Sequence, residues 1–180
     1  KRQSLTAQGE RVHLANESIG LETHIMDVVN IILFEELDNI ILVGHSYGGM
    51  VVTGVADRLP ERIQKLVYLD AFVPEHNENV NENFVNDPKK YNIVNGGIVP
   101  SWVPKNQPPP SDVPHPYKTF TDRVVLKNPE RLEIETHYIH TVEKEKKPES
   151  DDFILHANRA KEKSWPVYIL ESDHNPQWSA

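Results

Sequence analysis

From Leu21 to Leu37 the apolar residues Ile25, Val28, Val29, Ile32 and Leu33 recur three or four positions apart, the spacing that lines one face of a helix. Glu22 and Asp27 fall towards the start of this stretch, where the helix dipole favours negative charge. The apolar run Ile40 to Val43 then reads as a short buried strand, and Met50 to Leu59 as a second helix. Pro60 and Glu61-Arg62 break the pattern. Lys65 to Asp70 is a second apolar run, ending on an acid. Glu133 to Val142 predicts a third strand, and Asp151 to Lys163 a helix with Ser150 or Asp151 near its N-cap. Pro166 to Leu170 predicts a fourth strand, followed by the loop Glu171-Ser172-Asp173-His174. Helices alternating with strands imply a parallel, doubly wound α/β sheet, in which function gathers at the carboxyl ends of the strands.

The alternation fails between Ala71 and Leu132. Ten of the 14 prolines fall there, with Pro108-Pro109-Pro110 and the asparagine-rich stretch Asn77 to Asn86. Such residues end regular structure, so residues 71–132 read as an irregular lid inserted between strands of one domain spanning 1–180. A disordered linker is the other reading of so polar a segment. Phe84, Tyr91, Ile98, Trp102, Val103, Tyr117 and Phe120 are interspersed through it and favour a cap that packs, over the pocket described next.

The first predicted strand and the helix after it are joined by Gly44-His45-Ser46-Tyr47-Gly48, which has the G-x-S-x-G pattern of a nucleophile elbow. A strand that reverses sharply into a helix strains its central residue and lifts that side chain clear. Glycines at positions 44 and 48 would let strand and helix approach without a Cβ clash. Ser46 would stand at a helix N-terminus, where unpaired N–H groups favour a developing oxyanion. The Tyr47 N–H is the natural first donor. No G-x-x-x-x-G-K-[ST] is present, so a phosphate-binding loop is excluded at this turn.

Composition narrows the class. At 180 residues the chain can bury one sizeable core. A net charge of −8 argues against nucleic acid or an anionic membrane as partner. No apolar run approaches the roughly 18–20 residues needed to span a bilayer. There is no cysteine, hence no disulfide framework and no thiol nucleophile, which suits a cytoplasmic location. Asn16-Glu17-Ser18 matches a glycosylation acceptor by chance. His137 and His140 have the spacing of a metal pair on a helix, but on a strand they face opposite sides, so no metal is expected.

A serine nucleophile needs a base, and an acid to hold that base in the right tautomer. Among the nine histidines, His174 follows the last predicted strand on the edge that carries Ser46, in the chain order serine then histidine. His45 is the immediate neighbour of Ser46 and is expected to point away from it. His13, His24, His76, His115 and His156 read as surface, lid or helix residues. For the acid, Asp70 is favoured because a carboxylate closing an apolar strand demands a partner. Glu143 comes next, although Lys144, Lys146 and Lys147 make its loop resemble a solvated charge run. Asp151 is the third candidate.

The segments Leu5-Thr6, Gly9 to Leu14, Val43 to Met50, Val67 to Pro74 and Asp173-His174 resemble the small bacterial α/β-hydrolase carboxylesterases, including pyrethroid-hydrolysing esterases. More distantly they are similar to hydroxynitrile lyases and plant methyl esterases. The resemblance implies an α/β-hydrolase fold with Ser46 as nucleophile, His174 as base and Tyr47 as an oxyanion donor. It places the acid after the strand ending near Val142, where this chain has glutamates and lysines; some related dehalogenases carry an acid at the position of Asp70. It also implies a first strand and an oxyanion loop ahead of Lys1, roughly 40 residues. The abrupt start at Lys1 and end at Ala180 are read as a chain entered and left partway through a domain. The expected activity is hydrolysis of a small, partly hydrophobic ester through an acyl-enzyme, without cofactor. Cyanohydrin cleavage and a non-catalytic binder on the same fold are the alternatives.

Overall fold

The first apolar stripe of the chain is a helix, α1 (Leu21–Phe34), burying Leu21, Ile25, Val29 and Ile32. The computed structural model describes residues 3–83, 91–104 and 107–179. Strand β1 (Ile40–Ser46) leads directly into α2 (Gly48–Arg58), and β2 (Ile63–Ala71) follows. After a long excursion come β6 (Glu135–Val142), α5 (Ile154–Glu162), β7 (Val167–Glu171) and the short α6 (Pro176–Ser179). The helix before β1 ends three residues earlier than its periodicity suggests. Gly9–Leu14 forms a 3-10 helix where the sequence shows no periodicity.

The four principal strands make one sheet in the order β1-β2-β6-β7, every neighbouring pair parallel. Helix α2 packs on β1 and β2, and α5 on β6 and β7. The Thr53 hydroxyl lies 2.7 Å from the Tyr68 hydroxyl and ties α2 to the sheet. Tyr68 is in turn stacked between Trp165 and Tyr138. The core therefore sits between this face and the helices, with Met50, Val55, Leu66, Tyr68, Tyr138 and Ala157 buried in it. Ile41 and Val43, which alternate with the core-facing positions of β1, are exposed, as are Tyr168 and Leu170 of β7.

Between β2 and β6 the described residues carry the short helices α3 (Val80–Asn83) and α4 (Lys118–Thr121), and a small antiparallel sheet of β3 (Ile93–Val94), β4 (Gly97–Ile98) and β5 (His115–Pro116). This part packs. Asp122, after α4, accepts the Leu21 N–H at the start of α1, and Phe120 stacks on Tyr47. Tyr91 meets Phe120 edge to face, whereas Trp102 stays exposed. Phe84 lies outside the described residues. Among the described residues no helix is long and apolar enough to cross a membrane.

Three histidines are buried completely or nearly so: His24, His140 and His156. His156 accepts the Val73 N–H through Nδ1 at 3.1 Å, so its proton is on Nε2, which has no acceptor among the described residues. Burial pushes it from 6.5 down to about 4, and His115 is displaced the same way, to about 3. The unfolded chain takes up protons that the folded chain refuses. Stability is therefore complete above about 6.5 and falls as pH drops through the window down to about 4. At about pH 5 the His156 contribution is a loss of about 2 kcal/mol. The urea midpoint is expected to fall between about pH 7.5 and pH 5, and to fall less in His156→Gln. Equal falls in both proteins would remove His156 as the cause.

Candidate active site

Ser46 closes β1 with φ of 53°, in the left-handed region that a serine adopts only when its surroundings enforce it. What enforces it is contact on both sides of the turn. A Cβ on Gly44 would stand 2.6 Å from Val52 Cγ2 and 2.8 Å from the Gly48 carbonyl oxygen, so the strand leaves no room for a side chain beneath the helix. The second close approach is at Gly49, where a Cβ would lie 2.0 Å from the Phe72 carbonyl oxygen. Gly48, expected from the motif to be the second crowded glycine, has open space around its Cβ position. Its backbone is the obstacle to Gly44, but its own side-chain space is empty.

Asp70 is brought to the same edge by an irregularity in β2. Register runs His45 opposite Leu69 and then Ser46 opposite Ala71, leaving Asp70 as an extra residue with φ of 43°. A bulge of this kind re-aims one side chain without ending the strand. The carboxylate is 1% exposed. It accepts the Thr141 N–H through Oδ1 at 3.1 Å and the His174 Nδ1–H through Oδ2 at 2.6 Å. A buried acid is therefore doubly hydrogen-bonded, as burial requires.

His174 lies after β7, at the opposite side of the sheet from β1, yet its loop folds back across the strand ends. The His174 carbonyl accepts the His45 Nε2–H at 2.6 Å, and the two rings are 4.7 Å apart. His45 thus turns towards the loop that carries His174, and burial lowers its pKa, keeping it a neutral donor. With Nδ1–H given to Asp70, the His174 lone pair is on Nε2, the tautomer a general base needs. Phe153 stacks on the His174 ring at 4.8 Å with 14° between planes. Among the described residues the Ser46 hydroxyl makes no hydrogen bond, to His174 Nε2 or to any other group, so the structure joins His174 to Asp70 but not to Ser46.

The remaining sequence candidates separate cleanly. Glu143 is about half exposed and paired with Lys146 at 2.8 Å, and among the described residues no hydrogen bond or ion pair joins it to His174. Asp151 receives His140 Nε2–H at 3.1 Å and the Phe153 N–H at 2.8 Å. Tyr47, the N-cap of α2, places its amide at the helix start. Its ring is gripped from three sides: its hydroxyl donates to His24 Nδ1 at 3.0 Å, while His115 and Phe120 contact its ring. His24 gives its Nε2–H to the Thr6 carbonyl at 2.8 Å, which fixes the tautomer. Burial drives the Tyr47 hydroxyl far above its ordinary pKa, so it stays protonated. Sequence reading left His24, His140 and Phe153 without a role in the site. Their partners lie 23, 11 and 21 positions away, with no local pattern to announce them.

Asp70, His140 and Asp151 could between them surround a cation, with one ligand atom of each within 4.8 Å of the others. Asp70 is already bonded to His174, and Asp151 to His140. His137 and His140 do alternate on β6, and only His140 reaches this cluster.

Residues 23–96 match the family model described as alpha/beta hydrolase fold. A carbendazim hydrolyzing esterase from Nocardioides sp. (strain SG-4G) is 63% identical over 75 residues, 42% of this chain and 31% of that protein. The chain thus aligns with about a third of the length of this curated relative. An extracellular alpha/beta-hydrolase from a Paenibacillus species superposes with a TM-score of 0.71 at 20% identity, covering 89% of this chain and 74% of that one. A pyrethroid hydrolase superposes with a TM-score of 0.70 at 19% identity, covering 98% and 78%. An Arabidopsis methylesterase gives 0.66 at 22%, covering 94% and 76%. With a serine on a strained strand–helix turn and a histidine and an aspartate meeting at the same parallel-sheet edge, the chain has the α/β-hydrolase fold and resembles the esterases built on it.

Proposed function

We propose that the chain carries the catalytic triad of a serine carboxylesterase, with Ser46 as nucleophile, His174 as base and Asp70 as the acid. The observation that carries this reading is the 2.6 Å bond from His174 Nδ1 to the buried Asp70 carboxylate, at the edge where Ser46 stands with positive φ. Ser46 Oγ attacks the ester carbonyl carbon as its proton passes to His174 Nε2. The C–O bond then breaks, and the alcohol leaves with that proton. Water adds to the acyl-enzyme, giving its proton to His174, and the acid departs as Ser46 recovers its hydrogen. The Tyr47 N–H at the start of α2 is the first donor to the oxyanion in both halves. No step needs a metal or an organic cofactor.

Residues 71–132 serve as the lid in this reading. Tyr91, His115 and Phe120 gather beside Tyr47, and that aromatic cluster favours a small ester with a hydrophobic portion. The similarity to a carbendazim hydrolyzing esterase points the same way, as does that to a pyrethroid hydrolase. The partner in this reading is a small molecule; a net charge of −8 disfavours nucleic acid.

A fluorophosphonate probe tests the reading. Modification at Ser46, located by peptide mass spectrometry and lost in Ser46→Ala, is expected. A folded wild-type chain that stays unmodified would overturn it in favour of a non-catalytic binder on this fold.

A further inference from the structure

Two acid–imidazole pairs meet at this end of the sheet, and the reaction proposed above uses only one. The second is His140 of β6 with Asp151, joined at 3.1 Å. His140 is 2% exposed, and a nitrogen of its ring lies within 4.8 Å of carboxylate oxygens of both Asp70 and Asp151. The same Asp151 oxygen accepts the Phe153 N–H, and the Phe153 ring lies flat on His174. One partly exposed carboxylate thereby holds both the imidazole beside the triad acid and the ring against the triad base.

We infer that Asp151 is a positioning residue for the proposed hydrolysis, setting the Asp70 carboxylate through His140 and the plane of the His174 ring through Phe153. The kinetic part of this inference rests on the esterase reading; the structural part does not. Its physical content is twofold. A base whose ring is held by stacking and by Asp70 together loses less entropy in reaching the reactive geometry. A second carboxylate so close also adds negative potential where the imidazolium forms when Ser46 gives up its proton.

The other titratable groups around the network are His45 from β1, Tyr138 from β6, whose ring is 6.4 Å from His140, and His156 from α5, which touches Phe153. Burial lowers the pKa of both histidines and raises that of the tyrosine, leaving all three uncharged near neutrality. Asp152 and Lys146 lie on the loop nearer solvent, where Lys146 is paired to Glu143 and also interacts with the charges of Asp151 and Asp152. Asp151 thus adds its charge to that of Asp70.

Asp151→Asn keeps the size of the side chain and removes the charge. With a p-nitrophenyl ester, kcat is expected to fall about tenfold with KM unchanged within about twofold. The acid limb of the pH profile should move to lower pH by about half a unit, and Asp151→Glu should restore it. The titration midpoint of the His174 imidazole, read by NMR, should move the same way. That reading does not depend on turnover: if the wild-type chain neither labels nor hydrolyses, the esterase reading fails while the midpoint still tests the link from Asp151. An unmoved limb and midpoint in a folded Asp151→Asn protein would overturn the inference. Should that variant fail to fold, the wild-type spectrum decides: a slowly exchanging His140 ring N–H, beside that of His174, supports the proposal, and its absence overturns it.

Discussion

Asp70→Asn is expected to lower kcat/KM for an ester, and the rate of fluorophosphonate labelling, by roughly 10³–10⁴-fold. The amide would still accept the Thr141 N–H at the position where Oδ1 now does, so the bulge in β2 keeps its shape. What it cannot keep is a bare acceptor on both arms. Where Oδ2 now takes the His174 Nδ1–H at 2.6 Å, an NH₂ group would meet another N–H. The imidazole must then place its hydrogen on Nε2 and its lone pair towards the amide, which leaves nothing to remove the Ser46 proton. The loss follows from a wrong tautomer, with the fold intact. Glu143→Gln provides the contrast. Its carboxylate is half exposed, and its Lys146 pair is a surface contact, worth about 0–1 kcal/mol to stability, so activity should be unchanged. Near-normal labelling of Asp70→Asn, or a collapse in Glu143→Gln, would move the acid to another residue.

The sequence pattern revealed that edge unevenly. The strand–elbow–helix run could be read because its signal is local: four apolar residues, then glycines around a serine, then helical spacing. The chain order of Ser46 and His174 was legible for the same reason, since each follows an apolar strand. What could not be read was how the strands register. Asp70 owes its place to the shift between His45 opposite Leu69 and Ser46 opposite Ala71. That shift is a property of two strands together, and no residue in β2 marks it. The resemblance to carboxylesterases pointed to an acid after β6, whereas the residue bonded to His174 is in β2. The loop after β6 still contributes, through Asp151 to His140 and Phe153. Likewise His24 looks like any polar residue of an amphipathic helix until Tyr47 and Thr6 close around it.

Gly49→Ala is expected to be the most damaging single substitution in the elbow, although Gly49 lies outside the G-x-S-x-G motif. Its Cβ would fall 2.0 Å from the Phe72 carbonyl oxygen and 2.9 Å from both the carbon and nitrogen of that residue. These are backbone atoms and cannot rotate aside. Phe72 also donates its N–H to the Ser46 carbonyl at 3.1 Å and follows Asp70 by two positions, so any retreat of Phe72 pulls Asp70 and Ser46 apart. Alanine gains about 1 kcal/mol over glycine in a helix, but relieving this overlap costs on the order of 3–5 kcal/mol, and strain wins. Gly48→Ala tests the same helix without the clash. Nothing lies within 4 Å of its Cβ position, so the helix preference goes unopposed and stability should rise by about 0.5–1 kcal/mol. Urea titration of the two variants measures the difference, and esterase assay of whatever Gly49→Ala protein folds measures its reach into the site. A Gly49→Ala chain as stable and as reactive as the parent would mean that α2 and the Phe72 turn do not meet as closely as described, and that the strain holding Ser46 at positive φ has another source.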